Sequence, residues 1–156
     1  AFRAGYPNLD IFSMGVDGSI PTNLTNHPSN DLIPSWSPDG SQLSFSSDRD
    51  GNNEIYSMDA DGSNQVRLTN SASEDFFSAW SSDGTKIAFD SQNSSSGMFE
   101  IVVMNSDGSN STSITNNSWN NRYPSWSPNV VPEPSTALLL GIGLAGLGMR
   151  RTRRGC

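Results

Sequence analysis

The sequence predicts an all-β fold built from repeated four-stranded antiparallel sheets, and three observations carry that prediction. A unit of 44 to 46 residues recurs: Trp36, Trp80 and Trp126 are 44 and 46 positions apart, and the series Gly18, Gly62, Gly108 and Thr25, Thr69, Thr115 keep the same intervals. Within a unit, apolar and polar residues alternate in short runs such as Gln42-Leu43-Ser44-Phe45-Ser46 and Glu54-Ile55-Tyr56-Ser57-Met58, which is the period of a strand and not of a helix. Asp-Gly turns separate the runs, because glycine reaches positive φ without a Cβ clash and aspartate tolerates it. A fixed period of about 40–50 residues marks a propeller or a solenoid. Four short strands with one Trp and one Phe per unit describe the blade of a β-propeller.

In the unit around Trp36 the strands are expected at about 33–37, 42–47, 53–58 and 65–69, joined by Pro38-Asp39-Gly40, Asp50-Gly51-Asn52 and Asp61-Gly62-Ser63. The two extra residues of the later interval fall between Phe89 and Glu100, so Ser91-Gln92-Asn93-Ser94-Ser95-Ser96-Gly97 is a lengthened surface loop. Trp36, Trp80 and Trp126 are expected in the packing between blades. Ala1-Phe2 aligns with Ala88-Phe89, so the chain begins inside a second strand, and the last repeat stops after its first strand near Pro128. A late first strand of this kind can complete a blade whose other three strands lie at the N-terminus. About three blades result, fewer than the four to eight of typical rings. The expectation is that further blades precede Ala1; the alternative is that two chains pair, as a homodimer, into one ring.

Composition excludes one class of partner. All but one of the 16 acidic residues precede Val131, whereas four of the nine basic residues, Arg150, Arg151, Arg153 and Arg154, stand at the end of the chain. The acidic body repels phosphate backbones, which argues against nucleic-acid binding. The one cysteine, Cys156, has no partner for an internal disulfide.

Residues 1–129 are read as the repeat domain, 130–135 as a proline-rich linker, 136–149 as an apolar membrane segment and 150–156 as a basic cytoplasmic tail. Thr136 to Met149 is uncharged, and as a helix it would reach about 21 Å, short of the ~30 Å hydrocarbon core. Arginine snorkelling and local thinning of the bilayer cover that mismatch, and the arginines hold the tail on the cytoplasmic side.

The strings Pro34-Ser35-Trp36-Ser37-Pro38-Asp39-Gly40, Asn53-Glu54-Ile55-Tyr56-Ser57-Met58-Asp59-Ala60-Asp61-Gly62-Ser63 and Arg67-Leu68-Thr69-Asn70 recur in order, as Ala79-Trp80-Ser81-Ser82-Asp83-Gly84, Glu100-Ile101 and Ile114-Thr115-Asn116, and then as Pro124-Ser125-Trp126-Ser127-Pro128. They closely resemble the WD-like repeat of TolB-type propellers. Val131-Pro132-Glu133-Pro134-Ser135, the apolar segment and the arginine cluster together are similar to the PEP-CTERM sorting signal of Gram-negative bacteria. That resemblance implies recognition by an exosortase, a membrane protease-transpeptidase, with cleavage near the proline motif and passage from an inner-membrane intermediate to the cell surface or extracellular matrix. Gly141, Gly143, Gly146 and Gly148 suit such processing, since they weaken a helix.

Enzymatic constellations are thin, and the chain is read as no enzyme. His27 is the only histidine and no Gly-x-Ser-x-Gly elbow occurs. No cofactor is expected; calcium is weighed at Asp48, Asp50, Asn52 and Glu54, whose oxygens alternate around a glycine turn as hard cations require. Trp119, Arg122 and Tyr123, in the polar stretch Asn116 to Tyr123, form a candidate binding surface for protein or carbohydrate. Two functions follow. One is an exported scaffold, at the cell surface or in the matrix, that binds protein or surface polysaccharide. The other is an accessory propeller of a larger surface hydrolase whose catalytic part lies upstream.

Overall fold

A computed structural model describes residues 1–5 and 7–127. The proposed linker, apolar helix and basic tail lie outside the described residues. Among the described residues, eleven strands form three antiparallel sheets. The first sheet holds β1 (Phe2–Ala4), β2 (Asp10–Ser13) and β3 (Thr22–Asn23); the second holds β4 (Asp31–Trp36), β5 (Gln42–Ser47), β6 (Glu54–Asp59) and β7 (Val66–Arg67); the third holds β8 (Asp75–Trp80), β9 (Lys86–Gln92), β10 (Phe99–Asn105) and β11 (Thr112–Ser113). Each sheet runs in simple up-and-down order, so every strand pairs with its chain neighbour. The expected strands at 33–37, 42–47 and 53–58 agree with β4, β5 and β6 to within two residues. The fourth strand shrinks to the two residues of β7, because Leu68 turns away to pack against the next sheet.

Two apolar seams hold the sheets in a row. Ile11 and Leu24 of the first unit pack with Leu43, Phe45, Tyr56 and Met58 of the second sheet. One repeat later, Ile55 packs with Ile87, Phe89 and Met104 of the third sheet, with Leu68, Trp80 and Val102 against them. Phe45 is fully buried and stacks on Tyr56 with ring centroids 5.7 Å apart; such a ring contributes about 1.5–3 kcal/mol by leaving water. Ser44 and Ser78 add a hydroxyl contact of 2.8 Å between the two complete sheets.

The recurring threonines brace the end of each unit against its own sheet. Thr25, Thr69 and Thr115 each accept the backbone N–H of an isoleucine, Ile11, Ile55 and Ile101, at 3.0, 2.9 and 2.9 Å. Successive units are tied through the backbone: Asp31 N donates to Leu9 O at 2.7 Å, Asp75 N to Asn53 O at 2.8 Å, and Asn121 N to Phe99 O at 2.8 Å.

One expectation needs correction. Trp36 and Trp126 are 39% and 38% exposed, and of the three register tryptophans only Trp80 packs into a seam. Trp80 faces a complete sheet, whereas the sheet before Trp36 has only three strands and Trp126 lies within residues 121–127, which form no strand. Those residues pair with no described strand, and the first sheet is three-stranded.

Candidate functional site

Each innermost strand carries a bulge at the same repeat position. The ladder between β4 and β5 shifts between Leu32 and Ser35, and that between β8 and β9 between Phe76 and Ala79. Ile33 and Phe77 there have φ of 55° and 53°, and Tyr123, one repeat later, has 61°. A left-handed conformation is costly for β-branched and aromatic residues and persists only where surroundings over-determine it. Nothing in the residue types announces it, so sequence reasoning missed this feature.

The bulge gathers rings around Arg122. Its guanidinium carbon lies 3.9 Å from the Phe99 ring centre, 5.1 Å from Phe77 and 5.4 Å from Tyr123, and Nε donates to Asp90 Oδ2 at 2.8 Å. Tyr123 meets Phe77 edge-on at 4.5 Å. Burial pushes the Asp90 carboxyl up, while Arg122 opposes that shift. Arg122 and Tyr123 therefore do come together. Trp119 stands apart on the preceding loop, 74% exposed. That loop is pinned by Asn117, whose Oδ1 accepts from Trp119 N at 2.9 Å and from Asn121 Nδ2 at 3.0 Å.

A related device sits in the second sheet. Arg49 stacks over Tyr56 at 4.7 Å and Phe45 at 5.5 Å, and its guanidinium donates to Asp31 Oδ1 at 2.9 Å and Gln65 Oε1 at 2.8 Å. Gln65 in turn donates to Leu24 O across the seam, at 3.2 Å.

The structure places the four calcium candidates in separate tasks. Asp48 accepts from Asn30 N and Nδ2 at 2.8 and 2.9 Å. Asp50 accepts from the Tyr56 hydroxyl and faces Arg67 at 3.4 Å. Asn52 donates to the backbone oxygens of the 71–73 linker. Glu54, fully buried, accepts from Arg67 Nη2 at 2.7 Å, Ser71 N at 2.8 Å and Thr69 Oγ1. Arg67 already supplies positive charge between Asp50 and Glu54. Among the described residues no three His, Cys, Asp or Glu side chains gather as a metal-binding set. His27 accepts the Ser29 backbone N–H through Nδ1 at 3.2 Å and so closes a loop.

Asp75 is the most perturbed carboxyl of this region. It is buried, its Oδ1 lacks a partner among the described residues, and it lines a cleft of about 400 Å³ with Thr69, Ser71 and Ser91. Burial, reinforced by the nearby Glu54 carboxylate, pushes it up to about 7 from its ordinary 3.8, against hydrogen bonds from Ser91 and Thr69. The folded protein thus holds this proton more tightly than the unfolded chain, so stability falls as pH rises from about 4 to about 7 and is flat above. Asp75→Asn is expected to remove that slope and to raise stability at pH 8 by about 1–3 kcal/mol. Asn121, one repeat later, already carries the amide at the equivalent position. Urea unfolding at pH 4.5 and 8 checks this, and an unchanged slope in the variant would assign the effect to another group.

Repeated four-stranded sheets packed face to face in a row make this chain a β-propeller module. It belongs to the TolB β-propeller domain family, whose model matches residues 3–132. A second model, the PEP-CTERM protein-sorting motif, matches residues 130–154. The TolB structure from Agrobacterium tumefaciens is 31% identical with a TM-score of 0.68, over 77% of this chain and 47% of that one. TolB from Acinetobacter baumannii is 27% identical with a TM-score of 0.66, over 82% of this chain and 32% of that one. The chain therefore spans less than half the length of these structures. The tricorn protease, 21% identical with a TM-score of 0.54 over 71% of this chain and 10% of that one, shares the fold alone. No curated protein matches the chain. The sorting motif implies recognition by an exosortase and export to the cell envelope of a Gram-negative bacterium. Among the described residues no helix is long and apolar enough to cross a membrane.

Proposed function

We propose that this protein is an exported, non-catalytic scaffold that binds protein or surface polysaccharide at the cell surface or in the matrix. Trp119 carries the reading. A tryptophan 74% exposed on a loop pinned by Asn117 and Asn121 is a large apolar contact whose ordering entropy has already been spent. Its equivalents in the earlier units are Ser29 and Ser73, so the repeat does not require an aromatic there. Arg122 and Tyr123 follow in the chain and pack with Phe77 and Phe99.

Delivery is assigned to residues 130–156: Pro132-Glu133-Pro134 as the processing motif, 136–149 as a membrane segment and the arginines as the cytoplasmic stop. In the native host, Pro132→Ala with Pro134→Ala is expected to leave the chain uncut in the inner membrane. Trp119→Ala is expected to weaken retention in the surface fraction about tenfold or more while processing continues. Terminal-peptide mass spectrometry of inner-membrane and surface fractions reads both. Unaltered retention of Trp119→Ala would refute the binding role, and processing that ignores the prolines would refute the sorting role.

A further inference from the structure

Arg49 shows what a guanidinium meets beside the first seam. Nη2 donates to Asp31 Oδ1 at 2.9 Å, Nε to Ser47 Oγ at 2.9 Å and Nη1 to Gln65 Oε1 at 2.8 Å, while the group lies over the rings of Tyr56 and Phe45. A buried carboxylate, a hydroxyl and an aromatic face together match the planar fork of an arginine.

One repeat later the same walls line the 400 Å³ cleft at Asp75. Asp75 faces Ser91 across β8 and β9 as Asp31 faces Ser47 across β4 and β5, and Phe89 faces Val102 as Phe45 faces Tyr56. Ser111 holds the place of Gln65, and Leu68 that of Leu24. All six line the cleft, whose walls come from the third sheet and from the linker that joins it to the second. Asn70, Ser71 and Ser111 are exposed and form its rim.

The arginine itself does not recur. Gln92 N donates to Glu74 O as Asp48 N donates to Asn30 O, so position 93 corresponds to position 49, and it holds an asparagine. Asn93 caps its own loop instead, its Oδ1 accepting from Ser95 N at 2.9 Å and Ser96 N at 3.2 Å. Arg67 is held by Glu54 at 2.7 Å and faces Asp50 at 3.4 Å. Among the described residues no arginine or lysine pairs with Asp75, which is buried and whose Oδ1 has no hydrogen-bond partner there. A buried carboxylate gains most from a cation that also donates hydrogen bonds. We propose that this cleft receives an arginine side chain of a partner protein. Asp75 then takes the fork as Asp31 does, Ser91 accepts from Nε, and the Phe89 ring backs the guanidinium plane. Trp119 lies outside the cleft, so this site stands apart from the binding loop proposed above.

The probe is N-acetyl-arginine amide, an arginine capped at both ends as it is within a chain. It is titrated into the full 156-residue chain in nonionic detergent, and the backbone amide signals of Asp75, Ser91 and Ser111 are followed by NMR. Saturable shifts with a dissociation constant on the order of 1 mM are expected for a single side chain. N-acetyl-lysine amide should bind about fivefold more weakly or worse, because an ammonium lacks the planar fork. Asp75→Asn should weaken binding of the arginine probe by about tenfold or more, with unchanged signals in the second sheet guarding against misfolding. No saturation at about ten times the expected constant, equal binding of the lysine probe, or undiminished binding to Asp75→Asn would each overturn the proposal. Tighter binding of free arginine than of the capped probe would assign the cleft to an amino acid and overturn it too. So would binding that appears only after Arg150→Ser, Arg151→Ser, Arg153→Ser and Arg154→Ser are introduced together, since the tail of the chain itself would then be the occupant.

Discussion

Arg49→Ala is expected to destabilise the fold by about 3–5 kcal/mol, the cost of stranding a buried charge. Asp31 is fully buried, Arg49 is its ion-pair partner at 2.9 Å, and among the described residues Asp31 Oδ2 has no hydrogen-bond partner even with Arg49 in place. Removing the guanidinium also bares the faces of Phe45 and Tyr56 and frees Gln65, which reaches across the seam to Leu24 O. The decisive comparison is the double variant with Asp31→Asn. If the stranded charge dominates, neutralising Asp31 restores much of the loss, because a buried amide costs far less than a buried carboxylate. Urea unfolding of the two single variants and the double variant measures the coupling. Losses that simply add would show that lost packing, and not lost charge pairing, explains the effect.

Gly62→Ala should cost about 2–5 kcal/mol, combining a left-handed conformation with overpacking at a seam. Gly62 has φ of 88°, and an alanine Cβ would meet the carbonyl oxygen of Leu24 at 2.4 Å and its Cα at 3.0 Å. Backbone atoms cannot swing aside as a flexible side chain would, so the first and second sheets must separate. Gly18 isolates the two contributions: its φ is 76° but a Cβ there would meet no atom of the described residues within 4 Å beyond its chain neighbours. Gly18→Ala should therefore cost only about 1–2 kcal/mol, the conformational part. Chemical denaturation compares the two variants. Equal losses would mean that φ alone decides the outcome and that the close approach at Gly62 relaxes freely.

The strands and turns of this protein were legible in its sequence because they depend on neighbours a few residues apart. Alternation placed β5 at 42–47 and β6 within a residue of 54–59, and each Asp-Gly pair marked a turn whose glycine has a positive φ. The recurring threonines were visible as landmarks, although their role as acceptors for an isoleucine N–H of their own unit appeared only in the structure. The candidate surface was half legible: Arg122 and Tyr123 do converge, but Phe77 and Phe99, which complete the cluster, belong to strands that the repeat marks only as core.

What the sequence by itself determined was the repeat, the four-strand unit, the acidic body and the sorting motif, because composition, period and turn chemistry are local properties. Tertiary structure alone decided the bulges at Ile33 and Phe77, the elevated proton affinity of Asp75, and the pairing of Arg49 with Asp31 and Arg122 with Asp90. The two arginines occupy different positions in their repeats, so no periodic pattern predicts their partners. It also decided which tryptophans are covered. Trp80 meets a complete neighbouring sheet and Trp36 does not, and burial depends on what stands opposite in space, which a residue's place in the chain does not specify.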